Sequence, residues 1–237
     1  MNLNRQIERW LTSRKTTFES RHRPFITLAY AQSWDGSITN RCGETLPLSG
    51  TESTRLTHQL RSLHDGILVG IGTVLSDDPQ LTVREWHGPN PQPIVLDSRL
   101  RMPQTAQLCH HPDKQCWILT THSDTGKLGN KVEVISINAA EQEHVPLKEA
   151  MKMLWEKGIG SLMVEGGATI ITAFLKARMA DVLVLTIAPR LIGGYRAVGD
   201  LATTTIADLP KIDPLYSKQI GQDLIVWGNI HYGGSLA

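Results

Sequence analysis

The chain has almost no net charge, with 24 lysines and arginines against 23 aspartates and glutamates in 237 residues. That balance excludes the broad positive field of nucleic-acid or membrane-surface proteins, so an anionic ligand needs a local cluster of donors. Cysteine is scarce too: Cys42, Cys109 and Cys116 form no C-x-x-C pair. An odd thiol fits no complete disulfide framework and points to a reducing compartment, read here as the cytoplasm. No apolar run reaches the length of a membrane span or forms the uninterrupted core of a secretory signal. Repeats, low-complexity tracts and linker-like stretches are missing, which argues against a second domain. Two nucleotide motifs are also lacking. Gly70 and Gly72 are followed by Leu75 where G-x-G-x-x-G needs its third glycine, and there is no Walker A sequence. A Rossmann dehydrogenase and a nucleoside-triphosphate hydrolase therefore lose support. The segment CHHPDKQC (Cys109 to Cys116) gathers cysteines and histidines, but its spacing matches no zinc motif; it reads as a loop, and no metal is expected.

What is present is an ordinary apolar content of 41%, arranged as strands alternating with helices. Arginine-rich residues 1–23 carry Leu3, Ile7, Trp10 and Leu11 on one helical face, predicting an N-terminal helical extension docked on the domain or on a second subunit. Glu8 and Glu19 count against a transit peptide. After Pro24 the expected strands are Phe25 to Tyr30, Gly66 to Gly70, Pro93 to Ser98, Cys116 to Thr121, Val132 to Ile137, Val182 to Pro189 and Asp223 to Tyr232. Helices are expected from Thr51 to His64 and Pro146 to Lys157, with a strand and helix meeting at Gly166 and Gly167. This order predicts an α/β domain over 24–237, mainly parallel, with an antiparallel edge where the last two strands lack a helix between them. The polar stretch Arg84 to Gln92 reads as a mobile loop.

The segment SLMVEGGATIITAFL (Ser161 to Leu175) runs from a strand through two glycines into an apolar-periodic helix. Missing side chains let a ligand approach the backbone, and the helix's first unpaired N–H groups favour an anion, most often phosphate. Glu165 would repel that anion, so its carboxylate is expected to face a hydrogen-bond-donating part of the ligands. In SDDPQLTVR (Ser76 to Arg84), neighbouring Asp77 and Asp78 point apart, so one is expected at a ligand and the other at a turn. Arg61 and Arg84 are candidates to converge on a phosphate monoester. Loops leaving parallel strands share one edge, which also nominates SWDG (Ser33 to Gly36), Leu96 to Ser98 and Thr120 to Ser123.

The segments AQSWDGSIT (Ala31 to Thr39), RLTHQLRSLHDGILVGIGTVLSDDPQLTVR (Arg55 to Arg84), VLDS (Val95 to Ser98) and VEGGATIITAFLKARMADVLVLTIAPRLIGG (Val164 to Gly194) together resemble the reductase domain of bifunctional riboflavin biosynthesis proteins. The resemblance implies a single dihydrofolate-reductase-like domain, with helices on both sheet faces. It also implies NADPH-dependent reduction of a pyrimidine ribosylamino 5′-phosphate to the ribitylamino form, of the 5-amino-6-(5-phosphoribosylamino)uracil type. Position by position, it assigns Ala31, Pro47, Thr73, Asp77, Ser98, Gly166, Gly167, Ala168, Thr169 and Ile170 to the cofactor. Thr45, Arg61, Leu81, Arg84 and Glu165 fall to the substrate, with Asp77 and Glu165 as the carboxylates suspected of acid–base work. It further implies a homodimer. Cofactor preference would rest on a group near the ribose 2′ position, among Ser98, Thr121, His122 and Ser123. Ser37 stands where relatives often have a basic residue, and Pro47 and Leu48 replace a Trp-Ile pair. No H-x-E followed by P-C-x-x-C is present, so zinc-dependent deamination is not expected.

Overall fold

In a computed structural model of the chain, the described residues are 2–19, 22–122, 129–137, 143–203 and 205–233. Every residue of GILVG (Gly66–Gly70) is buried, so this run has no face to offer water and becomes β3, inside a parallel sheet. Its neighbours are β7 (Ser161–Gly166) and β4 (Gln92–Leu96), both parallel to it. Beyond β4 lie β5 (Cys116–Thr120) and β6 (Val132–Ser136); on the other side of β7 come β1 (Phe25–Ser33) and β8 (Val182–Ala188). Two antiparallel strands finish that edge, β11 (Asp223–His231) and then β10 (Lys211–Ile220). The order β10-β11-β8-β1-β7-β3-β4-β5-β6 is the expected mainly parallel sheet with antiparallel C-terminal strands. A small separate ladder pairs β2 (Ser37–Thr39) with β9 (Tyr195–Arg196).

Helices α4 (Leu147–Glu156) and α5 (Ala168–Lys176) cover one face, where Met151, Leu154, Ile171 and Phe174 pack on Ile26, Leu28, Leu68 and Val164. Helices α1 (Leu3–Thr16) and α2 (Thr51–Ser62) cover the other, burying Ile7, Leu11, Leu56 and Leu60 against Phe25, Met163 and Trp227. Short α3 (Ile71–Asp77) caps a third cluster with Val69, Val95 and Leu108. The N-terminal helical face is thus docked on this same chain, and Asn4 seals it by donating to Gln59 at 2.6 Å.

β10 is absent from the sequence-based expectation. Pro214 cannot donate to a ladder, and nearly every residue of the strand is exposed, so no apolar alternation marks it; Pro214 is tolerated because β10 is the outer edge. The Cys109 and Cys116 thiols are buried, and burial pushes the pKa of both up, away from the reactive thiolate. Among the described residues no three His, Cys, Asp or Glu side chains gather to hold a metal, and no helix is long and apolar enough to cross a membrane.

Candidate active site

β7 lies between β1 and β3, and the chain leaves these strands in opposite directions. From β1 it passes through α2 to β3, whereas from β7 it passes through α5 to β8 on the far side. The crevice at such a divergence, beyond the carboxyl ends of the strands, is where an open α/β sheet receives ligands. Here the register itself is disturbed: Leu68 pairs with Val164 but Val69 pairs with Gly166, so Glu165 is an extra residue, a bulge. Gly166 follows at φ +127°, a conformation costly for any residue with a Cβ.

Gly167 then caps α5, and its N–H donates to the Thr73 hydroxyl at 3.2 Å. A Cβ at Gly167 would come within 3.3 Å of that hydroxyl, while one at Gly70 would come within 2.6 Å of Ile170 Cγ1. The glycines therefore let the starts of α3 and α5 approach each other. The N–H groups of Ala168 and Thr169 have no intrahelical acceptor one turn back and open toward this approach. A Cβ on Gly72, exposed in the first turn of α3, would meet nothing within 4 Å. These donors and this absence of side chains fit a diphosphate.

Glu165 does not oppose that fit, because its charge is already answered. Arg61, on α2, forks onto it with Nε to Oε1 at 2.6 Å and Nη2 to Oε2 at 2.8 Å. The two side chains are only 12% and 15% exposed, and the third guanidinium nitrogen donates to the Thr82 carbonyl at 2.9 Å. Burial opposes the charge on Arg61, but the Glu165 charge and hydrogen bonds outweigh it and raise the Arg61 pKa. Arg84 is exposed and reaches Gln80 and Thr82 through Nη1 at 3.0 and 2.7 Å. The two arginines thus meet the Leu81 to Arg84 segment through different partners: Arg61 is committed to Glu165, and the exposed Arg84 is held by Gln80 and Thr82.

Asp77, exposed at the end of α3, accepts on Oδ1 from Thr45 and Ser76, both at 2.6 Å. This joins the loop carrying Thr45 and Pro47 to the mouth of the crevice. Asp78 serves the turn: it adopts a left-handed conformation and accepts from the Gln107 N–H at 2.8 Å. Leu81 as a whole is only 1% exposed, buried with Val74 and Leu108, so in this structure it does not present the substrate-facing surface expected of it. Ala31 is half-buried on β1, opposite Thr186. Ser98 closes β4, where its hydroxyl accepts from the Val145 N–H at 3.1 Å and its carbonyl from Thr121 at 3.0 Å. His122 is exposed, and Ser123 lies outside the described residues.

Three further residues shape this edge: Asp35, inside the nominated SWDG turn, and Asp223 and His58, to which the sequence assigned no role. Asp35 accepts from Ser33 at 2.6 Å and from the N–H groups of Ile192 and Gly193 at 2.9 and 2.7 Å, which hold its carboxyl well below the usual carboxylate range. It ties the Ser33 to Gly36 turn to the Leu191 to Gly194 loop. Asp223 accepts from Gly50 N–H and Ser53 hydroxyl, fixing the start of α2. His58, one turn before Arg61, accepts on Nδ1 from the Arg84 N–H at 3.1 Å. Its i,i+3 spacing from Arg61 was the available signal.

A family model of the RibD C-terminal domain matches residues 24–226. The chain belongs to the RibD C-terminal domain family. It is 32% identical over 213 residues to the riboflavin biosynthesis protein RibD of Aquifex aeolicus, covering 89% of this chain and 59% of that protein. It is 33% identical over 182 residues to the 2,5-diamino-6-ribosylamino-4(3H)-pyrimidinone 5′-phosphate reductase of Archaeoglobus fulgidus, covering 73% of this chain and 83% of that protein. The reductase of the same name from Debaryomyces hansenii is 35% identical over 191 residues, with 73% and 77% covered. Among solved structures, Acinetobacter baumannii RibD superposes with a TM-score of 0.78 at 25% identity, over 90% of this chain and 59% of the other. The riboflavin biosynthesis reductase Rib7 of Saccharomyces cerevisiae gives 0.76 at 25% identity, over 95% and 99%. This RibD-family chain therefore spans little more than half of the RibD proteins it matches and most of the stand-alone reductases.

Proposed function

We propose that this chain reduces a pyrimidine ribosylamino 5′-phosphate to its ribitylamino 5′-phosphate with NADPH as reductant. The observation that carries this reading is the Arg61–Glu165 pair set on the β7 bulge, beside the open approach of α3 and α5 and next to the exposed Arg84. Membership of the RibD C-terminal domain family and likeness to named reductases support it. The N–H groups of Gly167, Ala168 and Thr169, with the Thr73 hydroxyl, would hold the cofactor diphosphate. Gly166 and Ile170 shape that cradle, while Ala31, Pro47 and Ser98 line the remaining length. Bound there, NADPH would supply the hydride that saturates C1′ of the ring-opened imine.

The chain's own task is placement. Arg84 would clamp the substrate phosphate, and Thr45 would border the sugar. Glu165, forked by Arg61, would accept from N–H or O–H groups of the substrate. A proton must reach the imine nitrogen as C1′ is reduced. Asp77, exposed and hydrogen-bonded to Thr45, is the carboxylate suited to relay it. We place this activity in the cytoplasm, in a homodimer assembled through the exposed β10 edge, where Leu215 is 60% exposed.

Reaction with NADPH doubly deuterated at nicotinamide C4 tests the reading. Deuterium at the ribityl C1′ is expected, with both the 2-amino and the 2-oxo pyrimidine offered to learn which is taken. Absence of product from either pyrimidine, or label elsewhere, contradicts it.

A further inference from the structure

Residues 81–84 run along α2 without joining any sheet ladder, so their backbone groups must find partners elsewhere. Side chains supply them. Asn90 Oδ1 accepts from the Val83 N–H at 2.6 Å, Arg61 Nη1 donates to the Thr82 carbonyl at 2.9 Å, and His58 Nδ1 accepts from the Arg84 N–H at 3.1 Å. His58 is only 3% exposed, so it meets no substrate itself. An N–H can only donate; Nδ1 must therefore carry the lone pair and Nε2 the proton. Leu81 enters the segment at φ +54°, so this backbone does not rest in its own most favoured conformation. A leucine at position 58 would fill similar space at no cost of burying a polar ring. What the imidazole adds is an acceptor for the backbone N–H of Arg84, the exposed residue read as the phosphate clamp, together with a bond to the Thr82 carbonyl.

We propose that His58 is a positioning residue for substrate phosphate, fixing the Arg84 backbone through Nδ1 so that the Arg84 guanidinium faces the crevice. This rests on the reading of Arg84 as the phosphate clamp. Because the bond needs an unprotonated Nδ1, acid should release it. Burial first, then Arg61 on α2 and Arg84 on the extended segment, lower the His58 pKa, while Glu165 on β7 and the Thr82 carbonyl oppose that shift. The net shift is downward, and the bond persists at neutral pH.

Titration calorimetry of the full chain with ribose 5-phosphate tests this. His58→Leu is expected to weaken binding about tenfold, the loss of one backbone hydrogen bond at a charged clamp. His58→Asn, whose amide oxygen sits near the Nδ1 position, should stay within about threefold of wild type. His58→Gln, with its acceptor moved outward, should behave like His58→Leu and serves if the leucine variant fails to fold. NADPH affinity should be the same in all. As pH falls below the ordinary histidine range, wild type should lose affinity relative to His58→Asn; the phosphate's own titration is common to both and cancels. Equal ribose 5-phosphate affinity in wild type and His58→Gln, or a ratio flat with pH, overturns the role of His58 alone. A wild-type protein that ignores ribose 5-phosphate overturns the phosphate reading itself.

Discussion

At the scale of single residues, the site is a set of carboxylates whose charge is answered in different ways. Glu165 is met by a buried guanidinium, Asp35 by backbone N–H groups and hydroxyls, and Asp77 by two hydroxyls on one oxygen in open solvent. Only Asp77 combines exposure with a place at the crevice mouth, so it is the one suited to move a proton. Asp77→Asn should lower kcat by about 10²–10⁴ while leaving the NADPH Kd near wild type, measured by steady-state kinetics and cofactor fluorescence. An equal loss of cofactor affinity would reassign Asp77 to holding the cofactor.

A second residue sets pH dependence of stability away from the chemistry. His64 is fully buried between the Thr27 hydroxyl at 2.8 Å and the Leu60 carbonyl at 2.7 Å, and burial lowers its pKa to about 4. The unfolded chain takes up this proton near pH 6.5 and the folded chain near 4, so stability falls with decreasing pH across that window. Between pH 7.5 and 5 the loss from this group is about 2 kcal/mol, read by urea denaturation. His64→Gln should remove that part of the slope; an unchanged slope would show that His64 is not its source. Two of these partnerships join distant parts of the chain. Arg61 and Glu165 are 104 residues apart, and Thr27 and His64 are 37 apart, so one sequence could nominate the residues without pairing them. Arg61 and Arg84, expected to meet at one phosphate, instead make their side-chain bonds to different groups, Arg61 to Glu165 and Arg84 to Gln80 and Thr82.

At the scale of elements, the sequence was legible wherever burial imposed a period. GILVG, with all five residues buried, and the apolar face of α1 were readable for that reason. The antiparallel edge followed from a missing helix. The bulge at Glu165 was not legible, because register is a property of two strands and not of one. That bulge and its glycine turn yield a sharp prediction. At Gly166 a Cβ would meet only Ile171 Cδ1 at 3.5 Å, so the cost of Gly166→Ala is backbone strain at φ +127° and not a clash. The substitution should cost about 1–3 kcal/mol of stability and weaken NADPH binding. Gly72→Ala, in open space on α3, should instead be neutral or stabilising by about 0.5–1 kcal/mol. Urea denaturation of both variants checks the contrast, and equal effects would contradict the assignment of strain to the β7 turn.

At the scale of the whole molecule, β10 is the outer edge, with Leu215 60% and Tyr216 39% exposed, while Pro214 and a register shift between Ile212 and Leu215 confine the regular stretch to its Leu215 to Ile220 half. An edge of this kind pairs with another chain unless charge or a bulge prevents it. In the proposed homodimer, Leu215→Asp should shift the protein toward monomer in sedimentation velocity; a wild-type monomer would contradict the proposal. The parallel strands carry their outgoing loops to a common edge, divided at β7, and this is where the proposed site would gather segments scattered from Ala31 to Ile170. Substrate-dependent oxidation of NADPH, followed by the loss of its near-ultraviolet absorbance with wild type and Arg84→Ala side by side, tests the central claim most directly. Turnover of a pyrimidine ribosylamino 5′-phosphate by wild type, with kcat/KM reduced about 10²-fold or more in Arg84→Ala, is the predicted result. Tight NADPH binding without turnover of either pyrimidine, or turnover indifferent to Arg84, would contradict it.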